Sequence, residues 1–141
     1  MPQPIDLAVH SEIGRLRKVM LHRPGPEIDR MVPSMMETML FEDILFGERA
    51  RHEHDLFRRV LGMVADEVVD LQDTLGETLE DTAVRSSFVE DLAILERLTA
   101  PTVERLKAMT GPELAAVAVG GLEVDPSVVA HLPGPEVPYV L

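Results

Sequence analysis

The chain has 141 residues, of which 25 are acidic and 13 are basic, so its formal net charge at pH 7 is −12. This length supports one domain, or one small domain with an appended lobe. The acidic surplus disfavours nucleic acid and anionic membrane surfaces as partners, because both attract basic groups. The sequence contains no cysteine, which excludes disulfides, cysteine-ligated metals and thiol catalysis by these residues.

No segment of the sequence predicts a targeting peptide or a membrane span. The first residues, Met-Pro-Gln-Pro-Ile-Asp, lack the basic and apolar regions of a signal peptide. No apolar run approaches the roughly 20 residues that cross a bilayer. We therefore expect a cytoplasmic protein without a membrane partner.

The first half of the chain has the pattern of a strand, a helix and a second strand. Residues 15–22 predict the first strand, and the continuous apolar run Val-Met-Leu within it favours a strand with both faces covered. Ser34 and Glu37 form a capping-box pattern that predicts a short helix. Residues 48–64 predict a longer helix whose apolar side packs on a sheet, and residues 67–71 predict the second strand. The apolar side of the predicted helix at 48–64 consists of Ala50, Leu56, Phe57, Val60, Leu61 and Val64.

From residue 73 onward, apolar residues recur every three or four positions, which is typical of helices. Pro101 lies near the first turn of one predicted helix, and the pair Gly120-Gly121 closes another. The region is therefore predicted to form a small helical lobe. The tail after it is rich in proline and has no helical period, so we expect it to be extended or disordered. In the predicted lobe, the residues that define the helical period are Leu75, Leu79, Val84, Phe88, Leu92, Leu95 and Leu98.

Several side chains invite a functional interpretation that the local pattern does not favour. His52 and His54 are two residues apart on a predicted helix, so they point roughly 200° apart and cannot bind one ion together. Glu42 and Asp43 are either a general acid/base pair or, more often for adjacent loop acids, solvated or capping groups. The bases near the N-terminus favour a solvated strand edge paired with acids over an anion site. These bases are Arg15, Arg17, Lys18, Arg23 and Arg30.

Four segments, taken in order, carry a family resemblance. They are residues 10–25 (His-Ser-Glu-Ile-Gly-Arg-Leu-Arg-Lys-Val-Met-Leu-His-Arg-Pro-Gly), 39–44 (Met-Leu-Phe-Glu-Asp-Ile), 52–57 (His-Glu-His-Asp-Leu-Phe) and 68–75 (Val-Val-Asp-Leu-Gln-Asp-Thr-Leu). Together they resemble the N-terminal part of the arginine deiminases, which hydrolyse the guanidinium of free arginine to citrulline and ammonia. Residues 119–122, Val-Gly-Gly-Leu, resemble the glycine pair that closes a helical insertion in that family.

The resemblance implies an α/β (α+β) fold and a domain organisation. Residues 1–72 would be the first strand–helix–strand module of a five-bladed α/β propeller. Residues 73–121 would be the small helical lobe inserted after that module, and residues 122–141 a proline-rich tail.

The resemblance also indicates which elements of the family's active site these residues hold. Leu40 matches a residue that lines the substrate pocket, and Phe41 belongs to the same loop. Asp43 matches the second of two acids in that loop, whereas Glu42 stands where the family has aspartate. We expect both acids to orient the loop rather than to contact substrate. The family's nucleophile is a cysteine, and this sequence contains none, so we expect no catalytic residue in this chain. We also expect no metal and no cofactor.

Two functions from different classes follow from these patterns. The first is the N-terminal fragment of an arginine deiminase-like protein, truncated or split, and inactive alone. It would associate with copies of itself as a homo-oligomer or with a complementing C-terminal chain. L-arginine would be its ligand only in a complete enzyme. The alternative is a stand-alone, non-catalytic module that binds a protein partner or itself. A stand-alone enzyme is least favoured, because the sequence has no cysteine, few histidines and no second acid cluster.

Overall fold

The computed structural model describes residues 8–33, 36, 42–123 and 139–140. The short helix predicted from Ser34 and Glu37 lies outside the described residues except for Met36, and so do Leu40 and Phe41. The elements are β1 (Lys18–Leu21), α1 (Pro26–Asp29), α2 (Gly47–Val64), β2 (Glu67–Asp70), α3 (Leu71–Thr78), α4 (Thr82–Leu95), α5 (Ala100–Lys107), α6 (Gly111–Gly120), β3 (Leu122–Glu123) and β4 (Tyr139–Val140).

The first half of the molecule is a crossover unit, as the sequence predicts. Strands β1 and β2 pair in parallel, with Lys18 opposite Glu67 and Leu21 opposite Asp70. Parallel strands require a crossover connection, and α2 supplies it by running from the end of one strand towards the start of the other. Both strands are shorter than predicted. The architecture is therefore mixed α/β, with a small two-stranded parallel sheet.

The prediction that β1 is covered on both faces is wrong. Its residues alternate between exposed and half-buried, and the Met20 side chain is 51% exposed. Within the described residues the parallel sheet has two strands, so one helix on one side leaves the other face open. A continuous apolar run predicts double coverage only where a second layer exists.

The prediction that the apolar side of α2 packs on the sheet is also wrong for most of its members. Leu56, Phe57, Val60 and Val64 are all more than 40% exposed. The half-buried side of the helix instead carries mainly polar residues, with Leu61 as an apolar exception. Ion pairs explain this orientation, because they attach the polar side of α2 to α1 and to the end of β1. The half-buried positions are Ala50, Arg51, His54, Asp55, Arg58 and Leu61.

The second half is a four-helix lobe, α3 to α6, and it holds most of the buried apolar side chains. Helix α5 begins after Thr99 with a proline in its first turn, as predicted. Helix α6 ends at Gly120, and the next residue, Gly121, has a φ of 80°, which favours glycine. Val84 and Leu95 share the predicted helical period but are exposed. The buried cluster consists of Leu79, Val89, Leu106, Leu114 and Ala115.

Within the described residues, the tail forms two short strands that pair with each other. Strand β3 pairs antiparallel with β4, with Leu122 opposite Val140. The rest of the predicted extended tail lies outside the described residues. In the part of the chain that the structure describes, no helix combines the length and apolar character needed to cross a membrane.

Candidate functional site at the carboxyl edge of the strands

Polar side chains converge at the carboxyl edge of the parallel sheet. In open α/β sheets this is the edge where ligands bind, because the loops that follow the strands meet there. The segment after β1 leads directly into α1, and β2 ends at Asp70. The start of α2 lies at the same edge, since Arg51 pairs with Asp29 of α1 at 2.8 Å.

Asp70 is the buried charged group of this edge, with 9% of its surface exposed. Its Oδ1 accepts hydrogen bonds from the backbone N–H groups of Gln72 (2.9 Å) and Asp73 (3.3 Å), and its Oδ2 accepts one from Arg23 (3.2 Å). Burial raises the pKa of the Asp70 carboxyl, but these three N–H donors and the nearby His22 outweigh burial and lower it below its ordinary value. Asp70 therefore stays ionised and joins three segments of backbone.

Arg23 and Asp55 form a two-pronged ion pair that fixes α2 against the end of β1. The Arg23 Nε donates to Asp55 Oδ1 at 2.8 Å, and Nη2 donates to Oδ2 at 3.1 Å. The hydrogen bond from Arg23 lowers the pKa of the Asp55 carboxyl, against a smaller opposing effect of burial. Both side chains are about two-fifths exposed, so the geometry of the pair positions α2 more than it stabilises the fold.

His22 and Glu27 close the turn between β1 and α1. The His22 Nε2 and Glu27 Oε1 atoms are 3.1 Å apart, and the same oxygen accepts the Gly25 N–H at 2.5 Å. Three atoms of this edge, His22 Nδ1, Glu27 Oε2 and His54 Nδ1, are buried without a hydrogen-bond partner among the described residues. The edge therefore offers polar atoms and charge, but it contains no thiol nucleophile.

The structure tests the location of only some predicted site residues. Leu40 and Phe41 lie outside the described residues. Glu42 and Asp43 are exposed in the loop before α2, and Asp43 Oδ1 accepts the backbone N–H of Ile44 at 2.8 Å. This bond shapes the loop locally. The role of both acids in orienting it for substrate stays a prediction.

The other candidate groups adopt ordinary structural positions. His52 is exposed and His54 is half-buried, and no three His, Cys, Asp or Glu residues in the described ranges are arranged to hold a metal ion. The predicted pairing of N-terminal bases with acids is confirmed for three of them. Arg15 pairs with Asp66, Lys18 with Glu67 at 2.6 Å and Arg23 with Asp55.

Sequence reasoning missed the network of Asp70, Arg23 and Asp55. Arg23 lies 47 residues before Asp70 and 32 residues before Asp55 in the chain, so no local spacing predicts either contact. One signal was available: Asp70 ends an apolar strand and precedes a helix, which is the position of a capping residue.

The crossover unit defines a protein of the α/β class, and comparison with known proteins identifies its family. The family model for arginine deiminase matches residues 37–120. The arginine deiminase of Streptococcus agalactiae serotype Ia is 43% identical over 91 residues, which cover 64% of this chain and 22% of the relative. That of Streptococcus pyogenes serotype M49 is 45% identical with the same coverage. That of Streptococcus uberis is 46% identical over 83 residues, or 59% of this chain and 20% of the relative.

The chain belongs to the arginine deiminase family. The matched range includes three of the four segments that carry the resemblance, and the segment 10–25 precedes it. Asp55 and Asp70 fall inside the matched range, whereas His22, Arg23 and Glu27 lie before it. The chain spans about a fifth of the length of the curated relatives that it matches.

Proposed function

We propose that this chain supplies the first α/β module and the helical lobe of an arginine deiminase-like protein. It does not convert arginine to citrulline alone. The family match over residues 37–120 carries this proposal. The parallel crossover unit supports it, because a strand–helix–strand unit is the module expected to repeat in the family's propeller.

The chemistry of the family supports dependence on further residues. Covalent attack on a guanidinium carbon requires an activated nucleophile with a base beside it. The resemblance implies a cysteine for this role, and the 141 residues contain none. By resemblance, Leu40 and Phe41 would then contribute walls of the substrate pocket, and Glu42 and Asp43 would orient their loop, while L-arginine binds only in the assembled protein.

A second candidate function is a stand-alone protein-interaction module. One observation favours it. Helix α2 exposes a stripe of large apolar side chains, and exposed apolar patches of this kind mark surfaces that bind a partner. In this case the deiminase-derived fold would bind a protein partner or a second copy of itself, and arginine would not be its ligand.

A complementation assay distinguishes these functions. The 141-residue chain is purified and mixed with the Streptococcus agalactiae arginine deiminase from which the homologous segment has been deleted. Citrulline released from arginine is then measured. We expect no citrulline from either protein alone and measurable citrulline from the mixture. The streptococcal enzyme's own excised segment, added to the same deleted protein, is the positive control.

Each outcome has a defined meaning. Citrulline produced by the 141-residue chain alone would disprove its dependence on further residues. If the excised streptococcal segment restores activity and this chain does not, the deiminase-module proposal fails and the interaction module becomes the better account.

A further inference from the structure

The end of α1 and the beginning of α2 meet at Asp29, Gly47 and Arg51, which we call the clamp. Asp29 Oδ2 accepts a hydrogen bond from Arg51 Nη1 at 2.8 Å, and the Arg51 side chain is 25% exposed. Asp29 Oδ1 lies so close to Gly47 that a side chain at this position would overlap it. The Cβ atom of such a side chain would also lie 2.9 Å from the Asp29 carboxyl carbon and 3.0 Å from Arg51 Nη1. The three residues therefore fit together because residue 47 has no side chain.

The clamp supplies what α2 lacks at its first turn. The residue before the helix is Phe46, whose side chain cannot accept a hydrogen bond from the free N–H groups of that turn. The N-terminus of a helix carries a partial positive charge, so a nearby carboxylate stabilises it. Asp29 provides a carboxylate from another element, beside Gly47, the first residue of α2. Asp29 therefore helps to fix the point where α2 begins.

The position of Asp29 is fixed in turn by the residues that follow it. The next residue is Arg30, whose Nη1 donates to the Gly120 carbonyl at the end of α6 at 2.8 Å. Met31 is only 7% exposed, so this part of the chain is held inside the molecule. Through Asp29, the first turn of α2 is therefore tied to the helical lobe.

The clamp also joins the two ends of one long segment of the chain. Residues 30–46 leave α1 after Asp29 and enter α2 at Gly47. Contact between the ends of a segment removes conformations that a segment with free ends could adopt. By resemblance, this segment carries Leu40 and Phe41, which match the family's substrate loop. The clamp therefore lies at the base of the loop that the proposed function uses.

We propose that Asp29 and Arg51 are positioning residues for arginine binding, and that they act by holding together the two ends of residues 30–46. Without the clamp, a smaller fraction of molecules presents the pocket wall in the position that binds arginine. The apparent affinity falls by that fraction, whereas the chemical step, performed by residues outside this chain, keeps its rate. This inference rests on the proposed function of the chain.

Amide hydrogen exchange of the 141-residue chain tests the clamp without arginine. Asp29→Leu removes the carboxylate, Arg51→Met removes its donor, and Gly47→Ala displaces the carboxylate from both. Each should accelerate exchange in a peptide that covers residues 46–54 by about fivefold, while exchange in α6 is unchanged. The effect of Gly47→Ala is the most diagnostic, because alanine in a helix is otherwise favourable.

Matched variants separate the clamp from general effects on α2. Arg49→Met removes an arginine that pairs with Glu53 on the exposed side of the same helix, and Gly62→Ala adds a methyl group with nothing within 4 Å. Asp29→Asn keeps the size of the side chain and an oxygen that accepts a hydrogen bond. All three should leave exchange at residues 46–54 within about twofold of the wild type. Circular dichroism verifies that every variant is folded.

The complementation assay with the deleted streptococcal enzyme then measures the effect on arginine. Asp29→Leu and Arg51→Met should raise KM for arginine about tenfold and change kcat less than about twofold. Asp29→Asn and Arg49→Met should keep KM near that of the wild type. Poor folding or assembly would give a different result, because it lowers the maximal rate at unchanged KM.

The outcomes distinguish this inference from the proposed function. If the wild-type mixture makes no citrulline while the excised streptococcal segment does, the proposed function fails and the role in arginine binding fails with it. Hydrogen exchange still decides in that case whether the clamp exists. If the wild-type mixture is active, unchanged exchange in the Asp29→Leu, Arg51→Met and Gly47→Ala variants would overturn the clamp. Faster exchange with an unchanged KM would overturn the positioning role.

Discussion

Asp70 and Asp81 each cap a helix, but the two carboxylates are used differently. Asp81 Oδ1 accepts the backbone N–H groups of Ala83 and Val84, which caps α4 with a single oxygen. Asp70 Oδ1 performs the same task for α3, and its Oδ2 additionally accepts the Arg23 N–H from the segment after β1. An asparagine can replace the first oxygen but not the second, because its amide nitrogen is a donor.

Asp70→Asn should therefore be destabilising while Asp81→Asn is nearly neutral. We expect Asp70→Asn to lower the free energy of unfolding by about 1–3 kcal/mol, since it leaves the Arg23 N–H facing another donor. Asp81→Asn retains a good capping residue, so its change should be within about 0.5 kcal/mol. Urea unfolding followed by circular dichroism measures both. Equal losses in the two variants would contradict the role assigned to the second oxygen.

The same pair of variants has a predicted dependence on pH. The folded state lowers the pKa of Asp70, so its stabilisation is complete above the unfolded pKa of about 4 and disappears as pH falls through the folded value. The difference in unfolding free energy between the wild type and Asp70→Asn should accordingly shrink on acidification below about pH 4.

At the scale of elements, the sequence predicts where helices and strands lie better than how they pack. The helix predicted at 48–64 is α2, which begins one residue earlier. Its orientation is set by Arg23 and Asp29, which are distant in sequence, so periodicity alone assigns the wrong side to the sheet. Local signals were more reliable. Pro101 lies in the first turn of α5, and Gly121 directly follows the last residue of α6, as the sequence predicts.

In the candidate site too, the sequence predicts local features but not tertiary contacts. Leu40, Phe41, Glu42 and Asp43 were assigned from a motif that is contiguous in the chain, which a sequence displays directly. The bonds of Asp70 could not be assigned, because its partner Arg23 approaches only after α2 has returned the chain to the sheet. A network that joins three elements depends on tertiary structure, and no single segment encodes it.

The crossing of α3 and α6 depends on two glycines. A side chain on Gly111 would collide with the backbone of Gly76 and Leu79, and one on Gly76 would lie 3.2 Å from the Pro112 Cα. In contrast, nothing lies within 4 Å of the position that a side chain on Gly62 would occupy in α2. Close backbone approach requires glycine at the first site, whereas an exposed helix interior does not.

Gly111→Ala and Gly62→Ala should therefore change stability in opposite directions. Gly111→Ala forces α3 and α6 apart, with an expected loss of about 1–3 kcal/mol by overpacking. Gly62→Ala should stabilise the chain by roughly 0.4–1 kcal/mol, because alanine lowers the entropy of the unfolded state. Thermal unfolding gives both signs in one experiment. If Gly111→Ala were neutral, the close crossing of these helices would be wrong.

At the scale of the whole molecule, apolar burial is unevenly distributed. Among the described residues, the buried cluster belongs entirely to the lobe, and the crossover unit contributes Met31 as its buried apolar side chain. The crossover unit relies instead on exposed ion pairs, each of which contributes about 0–1 kcal/mol. It is also tied to the lobe, since Arg30 Nη1 donates to the Gly120 carbonyl at 2.8 Å and Asp70 caps α3.

This distribution predicts that the two halves differ in their ability to fold alone. A two-stranded parallel sheet with little buried apolar surface cannot offset the conformational entropy of ordering its residues. We therefore expect a fragment of residues 70–123 to be helical and to unfold cooperatively, and a fragment of residues 8–70 to be largely unfolded. Circular dichroism and amide hydrogen exchange compare the two. An independently folded 8–70 fragment would show that the crossover unit has a source of stability that its contacts do not reveal. An unfolded 70–123 fragment would mean that the buried cluster of the lobe needs the crossover unit to form.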